Sequence, residues 1–359
     1  MAESPQTTGC EEVQLGNVEI ERIDPLLDQS WDAKVAIRDD HSIFHRAAWA
    51  RVLIESYGHR PYYLRVLAAG AEVALVPLME VQSSITGCRG VSLPFSDYAG
   101  PLWSDPAQAS EVYQALIDFA VGRKWKRLEI RDDRVPPDSA PPYCIYETHE
   151  LDLTPDINVI ERNLDSAVRR AIRKARRSGL DIRVETDAGA VVEFYALHCR
   201  TRRRNGLPPQ PFRFFQAIGR NVIEPGLGFV VLARSGRHPV AGAIFLHSGG
   251  RAIYKFGASD IAHWHLRPNQ AVMWQAIRSL IDCGCVQLNF GRTAKNDEGL
   301  RRFKLSWGCS SRPLHYFRHH SGGWVSAVSE PKESYPLIFS RLPVALNRLA
   351  GKLIYPHLD

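Results

Sequence analysis

The sequence lacks the features that mark membrane-spanning, secreted or disulfide-bonded proteins. No run of apolar residues approaches the roughly twenty that cross a bilayer. The first residues, MAESPQTTGCEEVQL, lack the basic start and apolar core of a secretory signal. The seven cysteines are scattered and include no CxxC pair. These absences predict a cytoplasmic protein with reduced thiols and no zinc site.

Several catalytic signatures are missing as well. We find no GxSxG nucleophile elbow, no H-E-x-x-H zinc helix and no Walker phosphate loop. His263 and His265 flank Trp264, but two histidines do not complete a metal-ligand set, and a surface loop is the better interpretation. The sequence therefore gives little support to hydrolase, zinc protease or P-loop activity, and it predicts no bound metal.

The composition is that of an ordinary globular protein. The chain has 359 residues, of which 45% are hydrophobic and 23% are charged, so it can hold two domains with their own cores. The formal net charge is +6 and the pI is about 8.9. This mildly basic balance permits an anionic partner, such as phosphate, tRNA or a membrane surface, without requiring one.

Hydrophobic periodicity predicts alternating helices and strands along the chain. The predicted helices are 46–57, 106–122, 163–177, 190–204 and 268–283. The predicted strands begin at Val18 and continue with 62–67, 72–81, 128–130, 229–233, 240–247, 252–258, 286–290 and 314–317. The Pro-rich segment 135–142 is expected to connect two halves.

The order of the predicted elements repeats between the halves, which suggests an internal duplication. In each half, a strand pair around a glycine turn precedes a helix and a further strand. We therefore expect an α/β fold with mixed sheets and two similar domains, at 18–150 and 151–320, followed by a tail at 321–359. Coincidence among common α/β elements is the alternative.

The segment LNFGRTAKNDEGLRRFKLSWGCSSRPLHYF, residues 288–317, carries the most chemical information. The predicted strand 286–290 ends at Gly291, and a polar loop is expected after it. Gly291, Gly299 and Gly308 indicate that this loop is tightly shaped. Ligands bind at such strand ends in open α/β sheets, so we expect the functional site here.

The spacing of motifs in this segment resembles the second domain of FemAB-type proteins. The shared motifs are FGR at 290–292, Phe303-Lys304, Trp307-Gly308 and Pro313-Leu314-His315-Tyr316. FemAB-type proteins are double GNAT-fold acyl transferases, and their best-known members pass amino acids from aminoacyl-tRNA to a peptidoglycan precursor. The resemblance implies two tandem GNAT-like domains with an acceptor cleft between them.

The first half is similar to the FemAB-like proteins that are associated with exopolysaccharide and exosortase loci. Phe44-His45, Trp49, Gly58-His59-Arg60 and the loop 93–101 match those relatives, and Trp49 is a candidate substrate contact. Peptidoglycan-directed relatives often carry a lysine where Leu53 stands here. This difference counts against a UDP-sugar-pentapeptide or lipid II acceptor, and the expected acceptor is an amine of a cell-envelope or exopolysaccharide precursor.

The resemblance implies that Lys304 binds or stabilises negative charge near the reacting carbonyl, with Phe303 beside it. From residue type alone, a solvated lysine in a basic loop is the alternative. Amide formation from an activated ester needs no covalent nucleophile, but it needs positive charge or hydrogen-bond donors where the oxyanion develops. Arg292, in the same segment, is a second candidate for contact with the substrate.

Four further residues are candidates for contact with the acceptor. Tyr254 lies in a segment that resembles the family strand supplying a tyrosine to the acceptor site, although strand alternation would place Tyr254 and Phe256 together on one packed face. Arg202 is a candidate for an acceptor phosphate, because the planar guanidinium suits that group. Asp97 and Tyr98 are expected to line the cleft, and turn formation is the alternative for Asp97.

The donor is left open between aminoacyl-tRNA and acyl-CoA, and neither is expected to be permanently bound. The turn 266–271 lacks the glycines whose backbone amides hold pyrophosphate in acetyl-CoA-dependent GNAT enzymes, a departure that FemAB-like proteins share. Asn269 in this turn either contacts the substrate or caps the following helix. The basic face of the predicted helix 163–177 either contacts tRNA phosphates or is simply solvated.

The tail contains apolar residues near helical spacing beside basic residues. These apolar residues are Ile338, Leu342, Leu346, Leu349 and Leu353. A basic amphipathic helix can lie in a membrane interface, here at the inner face of the cytoplasmic membrane. Packing against the protein's own domain is the alternative, and Pro343 interrupts the pattern.

The working hypothesis is a FemAB-like transferase that moves an acyl or aminoacyl group onto an amine of a cell-envelope or exopolysaccharide precursor. Two alternatives stay open. One is an acyl-CoA-dependent N-acyltransferase that acts on an amino sugar. The other is a catalytically degenerate GNAT pair that serves as a scaffold in polysaccharide assembly.

Overall fold

The computed structural model of the protein describes residues 12–15, 17–132, 134–138, 140–326 and 338–358. The strands are β1 Glu12–Leu15, β2 Val18–Ile23, β3 Arg60–Pro61, β4 Tyr63–Ala68, β5 Ala71–Val76, β6 Met79–Ser83, β7 Gly87–Val91, β8 Leu102–Trp103, β9 Arg127–Arg131, β10 Cys144–Asp152, β11 Asp181–Glu185, β12 Gly228–Ser235, β13 His238–Ser248, β14 Arg251–Ser259, β15 Gln287–Ala294, β16 Ser310–His320 and β17 Gly323–Trp324. The α-helices are α1 Trp31–Ala36, α2 Ala47–Tyr57, α3 Ala109–Gly122, α4 Ile157–Asn163, α5 Ser166–Arg176, α6 Ala188–Arg204, α7 Phe212–Ile218, α8 Pro268–Asp282, α9 Glu298–Leu305, α10 Ile338–Arg341 and α11 Val344–Ile354. None of the helices in these described ranges is long and apolar enough to cross a bilayer.

The strands of the described residues form two sheets. The smaller sheet has the order β1-β2-β4-β5-β8 and comes from the N-terminal half. The larger sheet has the order β11-β12-β13-β14-β15-β10-β16-β9-β7-β6-β3, with β17 beside β16. Because β10 lies between β15 and β16, and β16 pairs with β9, this sheet runs through both halves of the chain.

Each half contains a parallel strand pair whose strands are connected through one helix. β7 pairs with β9 across α3, and β14 pairs with β15 across α8. The order β12-β13-β14-α8-β15 thus resembles the order β4-β5-β6-β7-β8-α3-β9, which has two additional strands, β6 and β8. This architecture confirms the predicted α/β fold with mixed sheets. The domain limits 18–150 and 151–320 stay predictions, and β10 crosses the expected boundary.

Large hydrophobic clusters hold the helices against the sheets. One cluster lies between α2, α6 and α7, where Trp49, Phe194 and Phe214 are fully buried. It therefore joins residues from both halves of the chain. A second cluster contains Trp307 and packs α5 and α8 on the C-terminal strands. A third contains Leu116 and packs α3 on the N-terminal sheet.

The helix predicted at 163–177 begins too early and spans a break. α4 and α5 are separated at Leu164 and Asp165, because Leu164 has extended backbone angles (φ −65°, ψ 146°). The carboxylate of Asp165 accepts a 2.7 Å hydrogen bond from the backbone N–H of Ala167 and caps α5. The apolar repeat continues across this boundary, so periodicity alone does not reveal it.

Several strand predictions are wrong. β10 and β11 form where no strand was predicted, since their alternating charged residues hide the apolar positions. The predicted strand 72–81 is two strands, β5 and β6, separated at Pro77, which cannot donate a ladder hydrogen bond. β15 continues through Gly291 to Ala294, and α9 replaces most of the expected polar loop.

The tail packs against the protein itself. The side-chain amide of Asn347 donates a 3.1 Å hydrogen bond to the carbonyl oxygen of Leu207. A Cβ atom at Gly351 would lie 1.9 Å from the carbonyl oxygen of Pro209, so only glycine permits this approach. The described tail residues therefore show packing against the protein's own domain, which was the alternative to a membrane interface. Residues 327–337 of the tail lie outside the described ranges.

Candidate functional site

β14 and β15 pair near their beginnings and then separate. Their parallel pairing covers 251–253 and 287–289, although both strands continue further. A bulge follows the paired region in each strand, at Lys255 in β14 and at Gly291 in β15. Bulges bend a strand and re-aim the side chains beside them. The side chains near the two bulges meet the loop 92–101 from the N-terminal half.

The bulge in β14 corrects the prediction for Tyr254 and Phe256. Phe256 pairs with Ile244 and Tyr254 pairs with Phe245, so Lys255 is an extra residue on β14. Tyr254 therefore packs against the ring of Phe245, at a centroid distance of 5.4 Å. Phe256 packs in the other core cluster, against α7. The two aromatic residues do not share one face, because the bulge interrupts the alternation.

The same bulge directs Lys255 to Asp97. The Lys255 ammonium donates a 2.6 Å hydrogen bond to the Asp97 carboxylate, and the side chains are 9% and 14% exposed. Burial by itself raises the pKa of Asp97, but the charges of Lys255 and Arg292 outweigh it and hold the pKa below its ordinary value. Burial lowers the pKa of Lys255, and Asp97 opposes this shift.

The bulge in β15 brings the backbone close to Asp97. Gly291 has φ +72°, and a Cβ atom there would lie 3.1 Å from the Asp97 carboxylate. The N–H of Arg292 donates a 3.2 Å hydrogen bond to the same carboxylate. The amide of Asn289 fixes the bulge from inside, because its oxygen accepts a 2.7 Å hydrogen bond from the N–H of Gly291. The backbone angle thus favours glycine, and an added Cβ atom would press on the Asp97 carboxylate.

Arg292 lies in the same buried network. Its guanidinium donates a 2.9 Å hydrogen bond to the hydroxyl of Tyr316 and lies over the ring of Tyr146, 4.7 Å from the centroid. The Tyr316 hydroxyl in turn donates a 2.6 Å hydrogen bond to the backbone oxygen of Asp97. The network therefore links β10, β15 and β16 with the loop 92–101.

Lys304 lies on α9, with its ammonium directed into the β15 bulge. It is 2% exposed and donates hydrogen bonds to the carbonyl oxygens of Gly291 at 2.7 Å and Arg292 at 3.1 Å. Burial lowers its pKa to about 8, and the charge of Asp97 acts in the opposite direction. The alternative of a solvated lysine is wrong. A catalytic role for Lys304 stays a prediction.

A cavity of about 350 Å³ lies beside α9, where Leu300 and Phe303 line it. Tyr254, Ser259, Asn269 and Phe303 are among the residues that line it. The amide of Asn269 donates a 3.3 Å hydrogen bond to the hydroxyl of Ser259. α8 begins at Pro268 without a side-chain cap, so the interpretation of Asn269 as a helix cap is wrong.

A basic groove of about 570 Å³ lies next to this cavity. Arg170 and Lys174 from α5, Arg267 before α8, and Arg302 from α9 are among its lining residues. Phe303 lines both the groove and the cavity. The groove is therefore lined by positive charge, and the smaller cavity adjoins it at Phe303.

The remaining predicted residues, Trp49, Tyr98 and Arg202, pack in the protein core or hold the tail. Trp49 is fully buried between the rings of Phe44 and Phe214, so it supports the core and has no surface to offer a substrate. Tyr98 is half-buried and packs edge-to-face on Phe44. Arg202 donates a 2.8 Å hydrogen bond to the Tyr355 hydroxyl and so holds the tail, and its contact with an acceptor phosphate stays a prediction.

Sequence reasoning missed two residues that organise the site. Lys255 and Asn289 are polar residues inside apolar strand segments, and that contrast was the available signal. Such residues are buried only with partners. Lys255 has Asp97, and the amide of Asn289 also donates to Thr148 at 2.8 Å.

Comparisons with known proteins agree with the fold. A family model described as an acetyltransferase (GNAT) domain matches residues 162–305. No curated protein sequence gives a significant match. The crystal structure of FemX is similar with a TM-score of 0.66 and 14% identity, over 82% of this chain and 96% of that chain.

Two further solved structures are similar over most of the chain. One is the C-terminal DUF2156 domain of an Agrobacterium fabrum protein named as a lysylphosphatidylglycerol synthetase, with a TM-score of 0.53 and 12% identity, over 82% of this chain and 92% of that one. The other is a tandem GNAT protein from the clavulanic acid biosynthesis pathway, with a TM-score of 0.50 and 9% identity, over 84% and 98%. The chain thus has a mixed α/β architecture with GNAT-type domains.

Proposed function

We propose that the protein is a GNAT-type transferase that moves an aminoacyl or acyl group onto an amine of a cell-envelope or exopolysaccharide precursor. The observation that carries this proposal is the position of Lys304, a buried ammonium at the point where β14 and β15 separate. It lies within the segment that matches an acetyltransferase domain. The similarity to FemX and to the synthetase domain supports an acceptor of the cell envelope.

In the proposed reaction, the amine nitrogen of the acceptor attacks the carbonyl carbon of the donor. A C–N bond forms while the bond from that carbon to the ester oxygen of the donor breaks. The amine loses a proton and the leaving oxygen gains one, so no covalent intermediate with the protein is needed. Negative charge develops on the carbonyl oxygen, and a positioned donor there accelerates the step.

Lys304 is suited to that task by its protonation and its orientation. With a pKa of about 8, it is mostly cationic at neutral pH. Two of its three ammonium protons are donated to the carbonyl oxygens of Gly291 and Arg292, which hold the side chain in place. In this proposal, the third proton is donated to the developing oxyanion.

Asp97 is assigned to positioning rather than to proton transfer. Its pKa is held below the ordinary value by neighbouring positive charge, so it is a weak base. Its carboxylate instead orients Lys255 and the N–H of Arg292. In this proposal, Asp97 holds the two bulges at a fixed distance from each other. The Lys304 ammonium, which is hydrogen-bonded to the β15 bulge, therefore stays directed at the substrate.

The basic groove is proposed as the binding site of the donor. Arg170, Lys174, Arg267 and Arg302 offer positive charge to phosphates along its length. Phe303 lies between this groove and the smaller cavity. A donor in the groove would place its phosphates on the basic residues and its aminoacyl end beside Phe303, the neighbour of Lys304 on α9. Aminoacyl-tRNA fits this arrangement as the donor.

An acyl-CoA donor is the second candidate, and one observation favours it. α8 begins at Pro268 beside Arg267 of the groove, and the N-terminus of a helix attracts phosphate. A pyrophosphate could therefore bind there without a glycine-rich loop. The acceptor in this case would be an amino sugar.

The test uses the full-length protein with two donors in separate reactions. Purified protein is incubated with charged tRNA or with acyl-CoA, together with envelope extracts, and mass spectrometry detects an acceptor with an added group. We expect transfer from charged tRNA that ribonuclease abolishes. Transfer that requires acyl-CoA and ignores tRNA would replace the preferred donor. If neither donor reacts and Lys304→Met keeps full function in cells, the scaffold alternative is favoured instead.

A further inference from the structure

The fully buried residues of the tail helix α11 are Asn347 and Gly351, which are not large apolar residues. Asn347, Gly351 and Tyr355 are buried against the segment 207–209 and α6. Gly351 approaches the carbonyl oxygen of Pro209 too closely for any side chain. The inner face of this helix thus includes an amide and a glycine, with Tyr355 directly after it, and Val344 on the same face packs against the hydrophobic cluster of α2, α6 and α7.

The apolar side of the same helix faces outward. Leu346, Leu349 and Leu353 are 51%, 52% and 63% exposed, and Ile338 on α10 is 57% exposed. With about 3.6 residues per turn, the three leucines lie nearly opposite the buried residues. Three exposed leucines on one side of a single helix form a continuous apolar stripe, and such stripes mark interaction surfaces.

The charged side chains of α10 and α11 have one sign. Residues 338–358 contain Arg341, Arg348 and Lys352 but no acidic residue. Arg348 lies over the ring of Tyr195, 5.3 Å from its centroid, while Arg341 and Lys352 are exposed. A second copy of this chain would bring like charges together, whereas an anionic surface would neutralise them.

We propose that α10 and α11 bind the surface of an anionic phospholipid bilayer. Leu346, Leu349 and Leu353 would enter the boundary between headgroups and acyl chains, while Arg341 and Lys352 would contact lipid phosphates. The buried contacts of Asn347, Gly351 and Tyr355 attach the helix firmly to the protein. Binding therefore holds the whole protein against the bilayer without unfolding the tail. The proposal is independent of the donor and of the catalytic role of Lys304.

The experiment is co-sedimentation of the full-length protein with vesicles. One set contains phosphatidylcholine with phosphatidylglycerol, and the other contains phosphatidylcholine alone. We expect binding to the anionic vesicles, weaker binding as salt is added, and little binding to the neutral vesicles. The triple variant Leu346→Gln/Leu349→Gln/Leu353→Gln should bind anionic vesicles about tenfold more weakly or worse. The variant Arg341→Gln/Lys352→Gln should bind anionic vesicles more weakly than the unchanged protein at low salt, where charge contributes most to binding.

The matched control is Val121→Gln, because Val121 is an exposed apolar residue on α3, away from the tail. It should bind like the unchanged protein. All the substituted side chains are exposed, so the thermal unfolding midpoints should agree and show that the variants fold. Equal binding to neutral vesicles, or no effect of the triple variant, would overturn the proposal. A dimer in solution that the triple variant dissociates would also overturn it, in favour of a second copy.

Discussion

The carboxylate of Asp97 accepts a 2.6 Å hydrogen bond from the ammonium of Lys255, joining residues that are 158 positions apart in the chain. The pair is almost completely buried. It connects the loop 92–101 with the bulge of β14, beside the Lys304 ammonium. A buried ion pair is strongly destabilising when one partner is removed, since the other charge is left without compensation.

Asp97→Asn should therefore lower the free energy of unfolding by about 3–5 kcal/mol. Because the folded pKa of Asp97 is lowered, the stability from this carboxylate is present above pH 3.8 and is lost as the pH falls through the folded pKa. Urea unfolding at several pH values measures both effects. The control is Asp181→Asn, whose ion pair with Arg183 is largely exposed and should change stability by less than about 1 kcal/mol. Equal effects of the two substitutions would contradict the argument.

Lys304→Met should reduce the rate of transfer by about 10²–10³. In the unchanged protein, the rate should fall as the pH rises through about 8, because the ammonium is then deprotonated. Since this pKa is lowered, the unfolded state binds more protons between about pH 8 and 10.5, so Lys304 becomes less destabilising as pH rises through that window. Lys295→Met, at an exposed lysine before α9, is the control. A transfer rate that is flat across pH 8 argues against the cationic role.

Arg170→Gln/Lys174→Gln should raise the KM for the donor while kcat changes little, because these residues are proposed to contact only its phosphates. The effect should shrink as salt is added, since salt screens phosphate contacts. Initial rates at several donor and salt concentrations measure it. Arg213→Gln, at an exposed arginine on α7, is the control. A loss of kcat with an unchanged KM would place the donor elsewhere.

Gly257→Ala should destabilise the protein by about 1–3 kcal/mol, because a Cβ atom at this position would lie 1.7 Å from the Tyr254 hydroxyl. Tyr254→Phe removes that oxygen, so the same alanine should cost less in the Tyr254→Phe background. Thermal unfolding of the two single variants and the double variant measures this coupling. Gly122→Ala serves as the control, since no atom lies within 4 Å of the added carbon. Additive effects of the two substitutions would show that the Tyr254 hydroxyl does not lie against the backbone at Gly257.

Most of the helices and central strands could be predicted from sequence, because their apolar residues recur at regular spacing. α6, α8 and the pair β12 and β13 agree closely with prediction. α4 and α5 do not, because a single aspartate cap interrupts a repeat that continues on both sides. β10 was missed because five of its nine residues are polar or charged, Cys144 aside. β10 lies between β15 and β16, which come much later in the chain, so local sequence does not reveal this pairing.

The sequence by itself determined the α/β class and the repeated order of elements, since periodicity is a local property. Motif spacing, which is also local, predicts that the functional site lies in the segment 288–317. Only the tertiary structure decided what surrounds each side chain. The bulge at Lys255 directs Tyr254 and Phe256 to different faces of the sheet. It also directs Lys255 to Asp97, with which Lys255 forms an ion pair. The outward side of α11 was likewise decided by where its glycine meets Pro209. Bulges and contacts between distant segments depend on which strands and helices become neighbours, and that is settled only when the whole chain packs.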